Sequence, residues 1–278
     1  MSRPLREARL LLFGALILFW TLLPIYHMFM LAVTPVKEAV GTALWPDHPT
    51  LENFRIVIQQ DHFFLRNFWI QLGNSILTAL IVCALVLAIS AAASFAIARL
   101  RVGWGGLLAN AALLTYLIPA AFLAIPMYKI MNHYGLLDNR WALILAMVTF
   151  ATPYAIWVLQ QYADNLPFEL DEAARVDGAS IPQIFTLIYL PLMAPALIAI
   201  GTYALLLAWN EYLYALLMLS SPDRVTLPVA LGYFLSSDDS PWALLMATSI
   251  IYALPPAALY YAVRRYMVSG LTAGAVKL

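Results

Sequence analysis

The chain has 278 residues, of which 63% are hydrophobic and only 11% are charged, and its formal net charge is zero. Soluble domains carry roughly a quarter charged residues, so this composition predicts a membrane protein. A net charge of zero argues against a nucleic-acid-binding protein, and the lone Cys83 argues against a disulfide framework or a cysteine-based metal site.

Six apolar runs are long enough to cross a bilayer, whose core of about 30 Å takes about 20 helical residues. They cover residues 10–33, 72–98, 105–131, 141–162, 192–219 and 242–264. In the third run, Pro119 and Pro126 predict a kinked helix. We therefore predict an all-α membrane protein with six transmembrane helices in one domain, 10–278.

The first run follows three arginines, which also precede the apolar core of a signal peptide. Its roughly 24 apolar residues exceed the usual core of about 7–15 residues, and no A-x-A cleavage site follows. We expect an uncleaved first helix after a short cytoplasmic segment, 1–9.

The distribution of Lys and Arg predicts that both termini are cytoplasmic. The predicted inner set is Arg3, Arg6, Arg9, Arg99, Arg101, Arg175, Arg264, Arg265 and Lys277, and the outer set is Lys37, Arg55, Arg66, Lys129, Arg140 and Arg224. This orientation places the loop over 163–191 in the cytoplasm.

The cytoplasmic loop over 163–191 is rich in acidic residues. They are Asp164, Glu169, Asp171, Glu172 and Asp177, with Arg175 as the one base. The run ELDEAARVD favours a helix that ends at a left-handed Gly178, and Ser180 with Gln183 predicts a capping box at the start of the next helix. An acidic helix favours docking on a partner protein over binding to lipid headgroups, for which such helices usually carry Lys and Arg.

The fifth apolar run contains polar side chains at membrane depth, where a charge is costly. Trp209, Asn210, Glu211 and Tyr212 form a possible translocation path, because aromatic rings with polar tips can stack on sugars. The alternative is an interfacial aromatic belt with a carboxylate at a subunit contact.

The loop also carries a long spaced motif. Its residues are Glu172, Ala173, Ala174, Gly178, Ile188, Leu190 and Pro191. This pattern resembles the EAA signature of ATP-binding-cassette importer permeases. The segments LENFRIVI, GNSILTAL, LAWNEYLYALLML, VTLPVAL and GLTAGAVKL are similar to the carbohydrate, maltose-type branch. The single helix before the long outer loop resembles the shorter of the two unequal permease subunits in that branch.

The resemblance implies a multi-pass permease of a bacterial or archaeal inner membrane. Its partners would be a second, longer permease subunit, a dimer of cytoplasmic ABC ATPases, an extracytoplasmic solute-binding protein and membrane lipid, without nucleic acid. Glu172, Ala173, Ala174, Asp177 and Gly178 would couple to the ATPase. The tail over 265–278 would reach between the ATPases through Gly274, Ala275, Val276 and Lys277. The outer segment 34–71 could dock the solute-binding protein or cap the permease pair.

Catalysis is not expected of this chain. None of its three lysines completes a G-x-x-x-x-G-K-[ST] phosphate loop, and its four histidines form no H-E-x-x-H. We therefore expect no catalytic residue, metal or cofactor here, with ATP and Mg held by the partner ATPase. The predicted solute is a sugar or a sugar-like molecule. The alternatives are the same importer class for a polyol, glycerol phosphoester or amino acid, a gradient-driven secondary transporter, and a membrane enzyme.

Overall fold

The computed structural model describes residues 3–38, 44–236 and 240–273, and in these ranges the regular structure is helical, without strands. The helices, in chain order, are α1 Arg3–Ala32, α2 Glu52–Gln59, α3 Phe68–Ala98, α4 Gly105–Leu113, α5 Ala124–His133, α6 Arg140–Ala163, α7 Glu169–Val176, α8 Ile181–Leu192, α9 Ala194–Trp209, α10 Leu213–Met218, α11 Leu227–Phe234 and α12 Trp242–Ala273.

Four helical segments of the described chain are long and apolar enough to cross a membrane by themselves. They are Arg9–Ala32, Phe63–Ala98, Arg140–Ala163 and Trp242–Arg264. Two further spans arise only if each of two sharply bent helix pairs crosses as a unit, which brings the number to six. The predicted class, a helical membrane protein, is confirmed.

The first bent pair lies where the sequence predicts a proline kink. Gly105–Leu117 and Ala120–His133 meet at 90°, and Pro119 stands in the break with an extended ψ of 130°. Proline lacks the N–H that would continue the ladder. Pro126 causes no break, because it lies in the first turn of α5, where that N–H has no helical partner.

The second bent pair shows that the predicted fifth span, 192–219, is not one continuous helix. Ile181–Leu192 and Ala194–Trp209 meet at 77°, and α8 contains a π-helical segment over Ile184–Tyr189. The apolar run continues to residue 219, but the helix does not, because it ends at Trp209 and restarts as α10. Hydropathy alone could not locate this interruption.

The chain divides into two compact units. The first comprises Met1–Phe68 and Ala230–Leu254. In it, the buried Asn53 donates through Nδ2 to the carbonyls of Ala32 at 2.8 Å and Thr34 at 2.7 Å. These bonds satisfy carbonyls that the end of α1 leaves without partners. The phenyl ring of Phe64 packs on Phe234 at 4.9 Å between centroids.

The second unit comprises Trp69–Val229 and Pro255–Leu278. Small residues fill its core, and the buried alanines on α6 and α9 include Ala146, Ala155 and Ala204. Small side chains allow membrane helices to approach closely. At Gly201 of α9, an added Cβ would lie 3.1 Å from Leu87 of α3, so the packing there requires glycine or a shift of that leucine.

A polar latch joins two loops of the second unit. The Asp138 carboxylate accepts the backbone N–H groups of Ser220 at 3.0 Å and Ser221 at 2.9 Å, and the Ser221 hydroxyl also donates to it. Arg224 lies 3.5 Å away. The hydrogen bonds from Ser221, then that from Ser220 and the Arg224 charge, lower the pKa of Asp138 to about 2. Asp138 is therefore ionised at any physiological pH.

Candidate functional site

The acidic loop folds as its sequence predicts. Helix α7 ends at Val176, and Gly178 adopts a positive φ of +83°, which reverses the chain without a Cβ penalty. The Ser180 N–H donates to Gln183 Oε1 at 2.8 Å, so the predicted capping box begins α8.

One acid of the loop faces inward. The side chains of Asp171 on α7 and Arg99 after α3 are only 3% and 5% exposed, and Oδ2 lies 3.4 Å from Nε. That contact is an ion pair without hydrogen-bond geometry. The guanidinium also donates through Nη2 to the Leu166 carbonyl at 3.2 Å and lies 5.9 Å from the centre of the Phe168 ring.

The ion pair leaves one fewer acidic side chain of the loop available to a partner protein. The acidity of the loop favours docking on a partner protein, but the charge of Asp171 is neutralised within the chain by Arg99. Arg101 lies 4.4 Å from the Phe168 ring centre, so a second base covers the start of α7. Arg99 and Asp171 carry no pairing signal in the sequence, because 72 positions separate them.

The opposite side of α7 is open. Glu172, Ala173 and Asp177 are exposed, Ala174 is half-buried, and Val176 exposes 87% of its surface. Glu172 and Val176 lie four residues apart, so these two exposed side chains share one side of α7 and are accessible to a partner protein. The five predicted coupling residues thus lie together on a short helix and its terminal turn.

Helix α8 is attached to α3 by different chemistry. The hydroxyls of Ser94 on α3 and Tyr189 on α8 are 2.9 Å apart in a buried contact. Phe95 packs on Tyr189 at 5.0 Å and on Phe185 at 5.1 Å between ring centres. Both helices of the loop are therefore held on the last turns of α3.

The predicted translocation residues lie at the break between α9 and α10. Trp209 is buried, Asn210 and Tyr212 are exposed, and the half-buried Glu211 accepts the Tyr214 N–H at 2.7 Å. Glu211 thus caps α10, a role that neither sequence interpretation included. The four side chains share a position in the chain but not one environment, and their part in a solute path stays a prediction.

The predicted tail residues Gly274, Ala275, Val276 and Lys277 lie outside the described residues. Within the described ranges, no three His, Cys, Asp or Glu side chains come close enough to hold a metal ion.

The amino-acid sequence matches a known protein family. Residues 84–272 match the family described as "Binding-protein-dependent transport system inner membrane component". The chain belongs to this family. The permease is 35% identical over 266 residues to the inner membrane ABC transporter permease protein YcjP of Escherichia coli, covering 95% of this chain and 94% of the relative.

Two further relatives are informative. The trehalose transport system permease protein SugB of Mycobacterium tuberculosis is 33% identical over 264 residues, covering 94% of each chain. A chain in the crystal structure of a bacterial ABC transporter involved in the import of the acidic polysaccharide alginate superposes with a TM-score of 0.80. It is 22% identical and covers 96% of this chain and 98% of its own, a likeness that establishes the fold.

The family confirms the resemblance stated from the EAA motif. The permease is a non-catalytic, multi-pass inner-membrane subunit of an ABC importer, and its ATPase is a separate subunit. Membership also implies an ATPase and a solute-binding protein as partners.

Proposed function

We propose that this permease moves a sugar or sugar-like solute inward, as the shorter of two unequal permease subunits on a dimer of ABC ATPases. The trehalose permease among its relatives supports a sugar as the solute. In this assembly, ATP and Mg are held by the ATPases, and the permease itself binds no cofactor. An extracytoplasmic solute-binding protein delivers the solute.

Helix α7 is the proposed contact with the ATPase, through Glu172, Ala173, Ala174, Asp177 and Gly178. This proposal rests on one observation, that one side of α7 is buried and the other is exposed. The Asp171 side is held on Arg99, whereas Glu172 and Ala173 are exposed. A helix held on one side and open on the other can pass a partner's movement to the bundle.

Reversing the charge of Glu172 tests whether α7 contacts the ATPase. A carboxylate paired with a base at a partly desolvated interface gains about 1.5–3 kcal/mol from charge-assisted hydrogen bonding. Glu172→Lys replaces that attraction with repulsion. We expect the variant to insert and to find the second permease subunit, but to lose the ATPase or to hydrolyse ATP without transport.

The experiment is a pull-down of the ATPase from detergent-solubilised membranes, followed by solute-stimulated ATPase activity in proteoliposomes. The matched control is Gln161→Ala, an exposed polar residue near the end of α6. If Glu172→Lys holds the ATPase and transports like the parent, α7 is not the coupling element.

A further inference from the structure

The bend between α4 and α5 leaves irregular backbone exposed in an apolar part of the chain. Between these helices, 3₁₀ turns cover Leu114–Leu117 and Ala120–Leu123, with Pro119 between them. Leu117 and Phe122 expose 79% and 74% of their surface. Non-helical backbone at membrane depth is tolerated only where protein covers it or where it lines a wet cavity. The extended backbone at Ile118 and Pro119 therefore requires protein or a wet cavity beside it, whereas the exposed Leu117 and Phe122 side chains alone would suit lipid.

A cavity of about 430 Å³ opens at this bend. It lies between the 3₁₀ turns, α5, the Pro153 region of α6 and one side of α9. Its walls are mostly apolar, but four of its lining residues carry hydroxyl groups, namely Thr115, Tyr116, Thr149 and Tyr203. None of the described residues that line the cavity carries a charge. Its volume falls within the range of small-molecule sites, about 300–1,000 Å³.

The tyrosines at the cavity form one cluster. The Tyr116 hydroxyl donates to the Phe150 carbonyl and lies 3.2 Å from the Tyr203 hydroxyl. Tyr154 packs behind them, with its ring centre 4.9 Å from that of Tyr203 and 6.1 Å from that of Tyr116. Packing of this kind fixes the positions of the two lining hydroxyls.

The protons of these hydroxyls are already committed. Because a hydroxyl has one proton and two lone pairs, and Tyr116 gives its proton to Phe150, Tyr203 must be the donor to Tyr116. Thr149 donates to the Leu145 carbonyl at 2.8 Å. The hydroxyl of Thr115, in the first 3₁₀ turn, donates to the carbonyl of Ala112 near the end of α4. All four oxygens therefore retain lone pairs, and the cavity offers acceptors without donors from these groups.

We propose that this cavity is a subsite of the transport path that accepts neutral, hydroxyl-rich solutes and disfavours anionic ones. Sugar hydroxyls can donate to the four oxygens, and sugar faces can stack on the tyrosine rings. A carboxylate or phosphate would meet lone pairs without a compensating cation, which is costly at low dielectric. The inference rests on the proposed function and narrows its solute class to neutral glycans.

The test uses the complete importer, in which this permease, the second permease subunit and the ATPase dimer are reconstituted with the solute-binding protein. The labelled neutral probes are disaccharides, trehalose among them. The labelled anionic probes are a diuronate and glycerol 3-phosphate. Tyr203→Phe and Thr149→Val remove one hydroxyl each with little change of shape. Tyr128→Phe is the control, since Tyr128 lies on α5 between two lining residues but does not line the cavity.

We expect the parent to import a neutral disaccharide and neither anion. Loss of one hydrogen bond changes a rate by about two- to tenfold, so each cavity variant should slow neutral uptake by that factor at saturating binding protein. The control should stay within about twofold, and all variants should retain the ATPase and the second permease subunit.

Unchanged uptake in both cavity variants would overturn the subsite. If the parent imports an anionic probe as fast as a neutral one, the cavity does not select against anions. The same conclusion follows if the parent imports none of the neutral probes. Loss of the second permease subunit from the variants would show that the cavity is a subunit interface instead. Failure of the parent to bind any ATPase would refute the proposed function, and that readout does not depend on the cavity.

Discussion

Removing the charge of Asp171 should destabilise the permease by about 3 kcal/mol. Asp171→Asn leaves the guanidinium of Arg99 buried without a counter-charge. At 3.4 Å and an effective dielectric of about 20, the lost attraction is about 5 kcal/mol, part of which the pair spends on its own desolvation. Breaking such a pair typically costs about 3–5 kcal/mol. The lower value applies because Arg99 keeps its bond to the Leu166 carbonyl.

The assay is equilibrium unfolding of the purified permease in mixed micelles, with ATPase pull-down on the same samples. The double variant Arg99→Met/Asp171→Leu removes both charges, so we expect it to recover most of the stability. Glu169→Gln is the matched control, because Glu169 is an exposed acid on the same helix and should change stability by less than about 0.5 kcal/mol.

Because the ion pair between Asp171 and Arg99 holds α7 in position, the stability of the permease and its retention of the ATPase should change together. Asp171→Asn should weaken the pull-down even though Asp171 faces away from the exposed surface of α7. A loss of stability no larger than that of Glu169→Gln would refute this reasoning, since it would mean that water reaches the guanidinium in the folded permease.

Four other changes test separate parts of the chain. Glu211→Ala should cost about 1 kcal/mol in thermal unfolding, because it removes the cap of α10, whereas Glu211→Gln keeps an acceptor and should be nearly neutral. The lowered pKa of Asp138 means that its latch stabilises the fold above about pH 4 and is lost as the pH falls through about 2. Asp138→Asn should therefore lower the unfolding temperature at pH 7 and have a much smaller effect at pH 2, where about half of the carboxyl groups are protonated in the folded state. Gly178→Asp places a side chain at φ +83°, so it should cost about 1–2 kcal/mol and uncouple ATPase activity from uptake, as measured in proteoliposomes. Deleting residues 273–278 should impair ATPase stimulation while membrane insertion, measured by fractionation, stays intact.

Local features of the loop were predictable because nearest neighbours determine them. Gly178 follows a run of helix formers and takes a left-handed conformation, and Ser180 with Gln183 begins the next helix. Each motif involves residues within about four positions of one another, so local sequence chemistry is sufficient. The same holds for the break at Pro119, whose missing N–H is visible in the sequence.

Contacts between distant segments were not predictable in the same way. Nothing in the acidic run distinguishes Asp171 from its neighbours until α3 places Arg99 beside it. The tyrosines at the bend come from three separate helices and carry no spacing signal. The break after Trp209 was missed because hydropathy averages over Asn210 and Glu211, and a short cap does not interrupt an apolar run of this length.

Helices α7 and α8 are attached to the end of α3 by different kinds of contact, and this difference determines how the loop can move. An ion pair between Asp171 and Arg99 holds α7, whereas aromatic packing and the Ser94–Tyr189 contact hold α8. Between them lies Gly178, where an added Cβ would meet nothing within 4 Å, so the turn has room to change its angle. Loss of the ion pair should then free α7 while α8 stays on α3. If α7 contacts the ATPase as proposed, the ion pair is the direct attachment through which a push on α7 reaches the end of α3, so Asp171→Asn should impair coupling as Glu172→Lys does.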